Sequence, residues 1–146
     1  YPAGHVIKTE STFINSSTST ATVAWDAKAT VSATFTPLFA SSNILVTACF
    51  GTYTSSTYGF FDIYKASTGF TTTYNLSGKN YGLVVIDASL LWNTRMFQFL
   101  DTVTENNTNI KTYSISMRNH TINSNTYIGF DAVNSYNSII CQEIAT

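Results

Sequence analysis

The sequence predicts an all-β protein: an antiparallel β-sandwich of jelly-roll type, with about eight to eleven short strands and no substantial helix. Three observations predict it. Residues 28–36, KATVSATFT, alternate strictly, with Ala29, Val31, Ala33 and Phe35 on one face and Thr30, Ser32, Thr34 and Thr36 on the other. Clusters of Ser, Thr, Asn and Gly punctuate the chain at 41–43, 66–69, 77–80, 105–109 and 119–125. No window carries a helical period; residues 88–92, ASLLW, fit one turn at most, which Asn93 would end.

In chain order, strands are expected at 13–15, 22–25, 28–36, 43–50, 59–65, 70–75, 81–87, 96–100, 112–118, 126–130 and 138–144, with 1–12 as an N-terminal arm or opening strand. Pro37 stops the third of these, because it has no N–H to give to a ladder. In the next, Ile44, Val46, Ala48 and Phe50 share one face, with Leu45, Thr47 and Cys49 opposite. Tyr113, Ile115 and Met117 repeat the pattern against Thr112, Ser114, Ser116 and Arg118. Residues 59–65 (GFFDIYK) and 81–86 (YGLVVI) are instead apolar or aromatic on both faces. A sandwich strand needs one apolar face. The second face must meet something else, and a neighbouring copy of the chain is the simplest candidate.

Composition narrows the function classes. The 146 residues fit one domain, 1–146. Charged residues are 10% of the chain, against about 25% in ordinary domains. Polarity therefore comes from hydroxyls and amides. Such side chains lose less rotamer entropy on ordering than Lys or Glu, which favours permanent assembly. The net charge of -1 supplies no basic field for a phosphate backbone, so nucleic acid is not an expected partner. The apolar runs at 43–50 and 82–86 fall far short of the roughly 20 residues that cross a bilayer, and no membrane partner is expected. No charged segment followed by an apolar one opens the chain, so no signal peptide is expected. A start at Tyr1 and not at Met reads as a processed or excised segment.

Candidate chemistry is sparse. His5 and His120 are far apart in sequence, with no third ligand near either, so neither a metal site nor a Ser/His/Asp arrangement is expected. Residues 77–80, SGKN, lack the first glycine and the closing Ser/Thr of a phosphate loop and read as a turn. A glycosidase needs two carboxylates facing one cleft. Asp62, Asp87, Asp101, Glu105, Asp131 and Glu143 are scattered and read as solvated or turn-forming groups. No enzyme activity and no cofactor are expected. Cys49 and Cys141 read as small buried thiols, with a single bridge as the alternative. Sequons at Asn15, Asn75, Asn106 and Asn119 are no more than chance gives in a chain so rich in Asn, Ser and Thr.

Aromatic side chains remain. Tyr53, Tyr58, Tyr64, Tyr74, Tyr81 and Tyr136 could line a glycan platform, or serve as the amphipathic residues of a core or subunit interface. Phe60, Trp92 and His120 join Tyr53, Tyr58, Tyr64 and Tyr136 as candidate interface or receptor contacts.

Four segments carry a family resemblance. PAGHVIK at 2–8, ATFTP at 33–37 followed by SSNILV at 41–46, FLDT with a Thr/Asn-rich loop and TYSISMR at 99–118, and SIICQEI at 138–144 occur in that order. Together the set resembles a pattern recurrent in small all-β modules of tailed-phage virion proteins, of the tail-fibre or decoration type. Gln142 stands where an apolar residue is usual, Lys65 where an Arg-Gly turn is common, and 119–125 replaces a glycine-rich turn. The resemblance implies a β-sandwich, usually a homotrimer, on the exterior of a virion assembled in the host cytoplasm, with no catalytic residues. Its expected partners are copies of itself and the major capsid protein or other virion proteins. As a decoration (cement) protein it would stabilise the shell. The alternative is a fibre tip that recognises a host surface glycan or protein through loops such as 53–58 and 119–125.

Overall fold

The computed structural model describes residues 2–67, 74–87, 92–102, 107–122, 124–129 and 137–146. They form two antiparallel sheets packed face to face. In chain order the strands are β1 (Val6–Phe13), β2 (Thr18–Thr20), β3 (Asp26–Phe35), β4 (Asn43–Thr54), β5 (Tyr58–Ser67), β6 (Tyr74–Asn75), β7 (Val84–Asp87), β8 (Asn93–Asp101), β9 (Lys111–Asn119), β10 (Thr126–Ile128) and β11 (Ser138–Ile144).

Three pairs of these strands share one position each. β10 and β11 both pair with the same side of β4, at Thr52–Thr54 and Asn43–Cys49, while β8 takes its other edge. β2 and β1 flank β10 and β11 in turn. β6 and β7 both run along β5, at Lys65–Tyr64 and Phe61–Tyr58. Sheet I is therefore β1/β2, β11/β10, β4, β8, and sheet II is β3, β9, β5, β7/β6. Successive positions alternate between the sheets except where β5 is followed by β6 and β7. The result is the double Greek key of a jelly roll.

The inner faces follow the alternation read from sequence. Ile44, Val46, Ala48 and Phe50 of β4 and Tyr113, Ile115 and Met117 of β9 are fully buried against Val31, Phe35, Phe61 and Ile63. In β3 the rule fails at Ala29, which is exposed. A register shift between Lys28 and Ser32 bulges the strand there, and the Ser32 hydroxyl donates to the Ala29 carbonyl at 2.8 Å.

Other boundaries also differ from expectation. The strand expected at 13–15 is instead β1, which pairs with β11 and ends at Phe13. Residues 22–25 form a bend, and the strand lies at 18–20. Here Thr22 Oγ1 accepts from Ala24 N at 3.0 Å, a local bond that competes with a ladder. The strands expected at 81–87 and 126–130 are shorter, at 84–87 and 126–128; of the strand expected at 70–75 only 74–75 is described, and residues 70–73 and 130 lie outside the described residues, as do 88–91 of the single expected turn.

β5 is buried on both faces, as its composition implied, but the chain itself covers the outer one. Leu76 and Leu83 still donate to the Ile63 and Phe61 carbonyls of β5 at 2.7 and 2.8 Å, residues 77–82 loop out between them with Ser77 on Asp62 and Tyr81 against Phe60, and the outward-facing Phe60 and Asp62 are buried. Gly82 lets this segment lie close. It has φ +67°, and a Cβ there would stand 2.3 Å from the Phe61 carbonyl oxygen and 2.7 Å from the Trp25 ring. No neighbouring copy is needed to bury Phe60 or Asp62.

Candidate functional site

Strand register at one end of sheet II gathers a set of rings. Phe60 on β5 stands opposite Arg118 on β9 and Val85 on β7, and Tyr58 stands opposite Asp87. His120 follows β9, and its backbone N–H donates to the Tyr58 carbonyl at 3.0 Å. Tyr81 reaches back from the covering segment to 5.5 Å from Phe60. His120 sits edge-on to Tyr58 at 5.5 Å and to Phe60 at 6.1 Å. Tyr58, Phe60, Tyr81, Val85 and His120 line an open cavity of about 230 Å³. Phe60 is its buried floor, while Tyr58 is 42% and Tyr81 62% exposed.

Arg118 flanks this floor. Its guanidinium lies 4.7 Å from the Phe60 ring centre and 5.4 Å from that of Trp25, within cation–π range. Nη1 donates to the Val23 carbonyl at 3.5 Å, and the buried Nε has no partner among the described residues. The site offers ring faces, an imidazole and a guanidinium. That is equipment for stacking and hydrogen bonding.

A second aromatic group lies on the outer face of sheet I. Tyr53 stacks on Trp92 at 5.1 Å and meets Tyr127, its β10 partner, at 5.6 Å. The candidates named from sequence thus divide into two: Tyr58, Phe60 and His120 come together on one sheet, Tyr53 and Trp92 on the other. Tyr64 is half-buried on the outer side of β5, apart from both, and Tyr136 lies outside the described residues. Sequence reasoning passed over Tyr127, Arg118 and Trp25. The alternation of 112–118 had placed Arg118 outward, but nothing in the sequence reported what stood opposite it.

Three carboxylates read as solvated are buried. Asp101 accepts from Lys65 Nζ at 2.6 Å and from the Tyr113 hydroxyl at 2.8 Å. Lys65 lies within β5 with its side chain inside the sandwich. Glu143 accepts from the backbone N–H groups of Leu38 and Phe39, both at 2.8 Å, so that the Glu-Ile end of β11 clamps the segment after Thr36-Pro37. Asp62 accepts from the Ile63 N–H at 2.7 Å and from the Ser77 hydroxyl, which ties down the covering segment. Burial pushes its carboxyl above the usual range, against the lowering effect of these bonds. Asp87 is exposed, while Glu105 and Asp131 lie outside the described residues. No cluster of three or more His, Cys, Asp or Glu among the described residues could hold a metal ion.

The thiols cannot bridge. Cys141 faces inward from β11, and Cys49 faces outward from β4 with Met96 as its β8 partner. Both are free, and burial, with Glu10 nearby, pushes the Cys141 thiol up to about 12.

No protein-family model matches the chain, and no curated protein does. Among solved structures it is similar to the VP2 subviral particle of infectious bursal disease virus, at 11% identity and a TM-score of 0.46 over 95% of this chain and 38% of that one. It is also similar to the structure of the Gx strain of the same virus, at 10% identity and a TM-score of 0.41 over 94% and 37%. The chain spans less than two fifths of either.

Proposed function

We propose that the chain is a non-enzymatic structural module of a virion exterior, which associates as a homotrimer and stabilises a capsid shell as a cement protein. The observation that carries this reading is the outer face of sheet I. Across that face the register aligns Phe13, Ser138, Cys49 and Met96 in one row, and Thr9, Gln142, Leu45 and Leu100 in another. Between them lies a Thr47–Gln98 pair, joined by a 2.9 Å hydrogen bond. Phe13 is 68% and Met96 66% exposed. The face carries few charges, so its contacts with a second copy or a shell would rest on apolar area and change little with salt. Jelly rolls serve viral capsids and lectins alike, so topology does not choose between them. The sequence resemblance to virion modules supports the former.

The test is oligomeric state, followed by particle behaviour. Light scattering at micromolar concentration should give a trimer, and Met96→Asp with Leu100→Asp should give a folded monomer. A stable wild-type monomer overturns the trimer. Particles stripped of the protein should still adsorb to cells but burst more readily on heating.

A second reading, a receptor-binding fibre tip, is favoured by the open ring-lined cavity at Tyr58, Tyr81 and His120. It expects the opposite pair of results: stripped particles stay sound but fail to adsorb, and free protein competes with them for cells. Tyr81→Ala should then abolish competition without changing stability.

A further inference from the structure

Lys65 and Asp101 belong to different sheets. Lys65 points inward from β5 of sheet II, where its cross-strand partner on β9 is Tyr113. Asp101 points inward from the end of β8 in sheet I. The side chains are 2% and 1% exposed, and Nζ lies 2.6 Å from Oδ2. The Tyr113 hydroxyl donates to the same Oδ2 at 2.8 Å. An amine, a carboxyl and a hydroxyl are thus held together in the interior by three strands.

Burying two opposite charges forfeits much of their hydration, and their mutual attraction does not reliably return it. In such surroundings moving one proton from Nζ to Oδ2 leaves a neutral amine beside a carboxylic acid. Those are the reactants of an amide condensation. Groups fixed at contact distance react as though at an effective concentration of about 10⁵–10⁸ M, and a hydroxyl aimed at the carboxyl oxygen stabilises charge that develops there.

We propose that Lys65 and Asp101 join spontaneously in an isopeptide bond that staples β5 of one sheet to β8 of the other. The Nζ lone pair attacks Cγ of the protonated carboxyl, and an N–C bond forms. Oδ2 already carries one proton from Nζ. It receives a second from Tyr113, whose hydroxyl is restored by a further proton from Nζ. The Cγ–Oδ2 bond breaks and one water leaves. The ammonium has given up two of its three protons and both charges are gone; nothing is oxidised or reduced. Tyr113 touches the reacting oxygen and is the catalytic residue of this step. The product is a neutral amide across the core, independent of what the outer faces bind.

The test needs only the wild-type protein. After folding and prolonged incubation, denatured intact protein should be short of the sequence mass by one water. Trypsin should fail to cut after Lys65, and fragmentation should give one branched peptide containing Lys65 and Asp101. Lys65→Arg and Asp101→Ala should restore the full mass. Tyr113→Phe should slow bond formation by about 10²-fold or more, the usual scale of general acid–base assistance. Wild-type protein at full mass, with Lys65 in linear peptides, overturns the proposal. So does a loss of water without the branched peptide, which would be a succinimide elsewhere.

Discussion

At the end of the sandwich where β3 passes to β4 and β8 to β9, Lys, Asp and Glu side chains close the interior: Lys65 with Asp101 and Tyr113, Lys111 with Asn107, and Glu143 on two backbone N–H groups. At the opposite end, where β4 passes to β5 and β9 to β10, neutral groups do the same work. Thr54 and Thr126 share a hydrogen bond at 2.9 Å, Asn119 Nδ2 donates to the Thr20 carbonyl at 3.2 Å, and Ser56 accepts or donates to Thr121 at 3.1 Å. The difference bears on composition. Seven basic and eight acidic residues make fifteen charged side chains, and among the described residues Asp62, Lys65, Asp101, Lys111 and Glu143 are buried. Both aromatic groups lie toward the neutral end, where stacking contacts need displace few ions.

If the two ends differ as this implies, removing one partner should be far more damaging at the charged end. In freshly folded protein, before Lys65 and Asp101 join, Asp101→Ala leaves Lys65 buried beside a cavity and should destabilise by about 3–5 kcal/mol in urea unfolding. Lys65→Met with Asp101→Leu should recover most of that loss, since an apolar pair of similar volume needs no counter-charge. A loss under about 1 kcal/mol for Asp101→Ala would erase the contrast.

The next test stays at the charged end. Glu143→Ala strands the N–H groups of Leu38 and Phe39 and should cost about 1.5–3 kcal/mol, as hydrogen bonds to charged groups do. At the neutral end, Thr126→Val removes the bonds to Thr54 and to Asn119 Oδ1, and should cost about 1–2 kcal/mol. Raising salt should change neither result much, because both sites are buried.

Asp62 belongs to neither end and gives a smaller, pH-dependent effect. Its folded carboxyl titrates above the ordinary 3.8, because burial disfavours the charged form. Between 3.8 and the raised value the folded state holds a proton that the unfolded state has released. The contribution of Asp62 is therefore greatest below that window and is lost as pH rises through it. Asp62→Asn should keep the tie to Ser77 and flatten this component. The difference in stability between wild type and variant, followed from pH 3 upward, should shift toward the variant.

The sequence made the fold legible because the core faces obey period two. The inner residues of β4 and β9 could be named from alternation, and turn clusters placed most boundaries. Ala29 escaped, since a bulge shifts register without a distinctive residue. The buried charges escaped for another reason. Lys65, Asp101 and Glu143 sit on inward positions of their strands, yet an isolated Lys or Asp in a sequence reads as solvated, and its partner lies on another sheet or across a loop. The site was half legible. Aromatic content pointed to Tyr58, Phe60 and His120, but their grouping with Arg118 depends on the register of β5 with β9, and with Tyr81 on residues 77–82 looping out beside β5, which Gly82 permits and no periodicity announces.

The smallest expected effect is none at all, and it tests the two faces of sheet I. Cys49 and Cys141 lie on neighbouring strands but on opposite faces, and period two forbids their side chains from meeting without a shift of register. A reducing agent should therefore leave the thermal midpoint unchanged. Thiol labelling should separate the positions. Cys49, half-buried on the outer face, should react in the native protein. Cys141, buried and held as a thiol by its raised titration, should react only as fast as the sandwich opens. In an assembled trimer that uses the outer face of sheet I, Cys49 should also be protected, and Met96→Asp with Leu100→Asp should expose it. A midpoint that falls on reduction would mean that β11 and β4 pair in another register. Equal labelling of both thiols in folded protein would mean that the inner face of β11 is open to solvent.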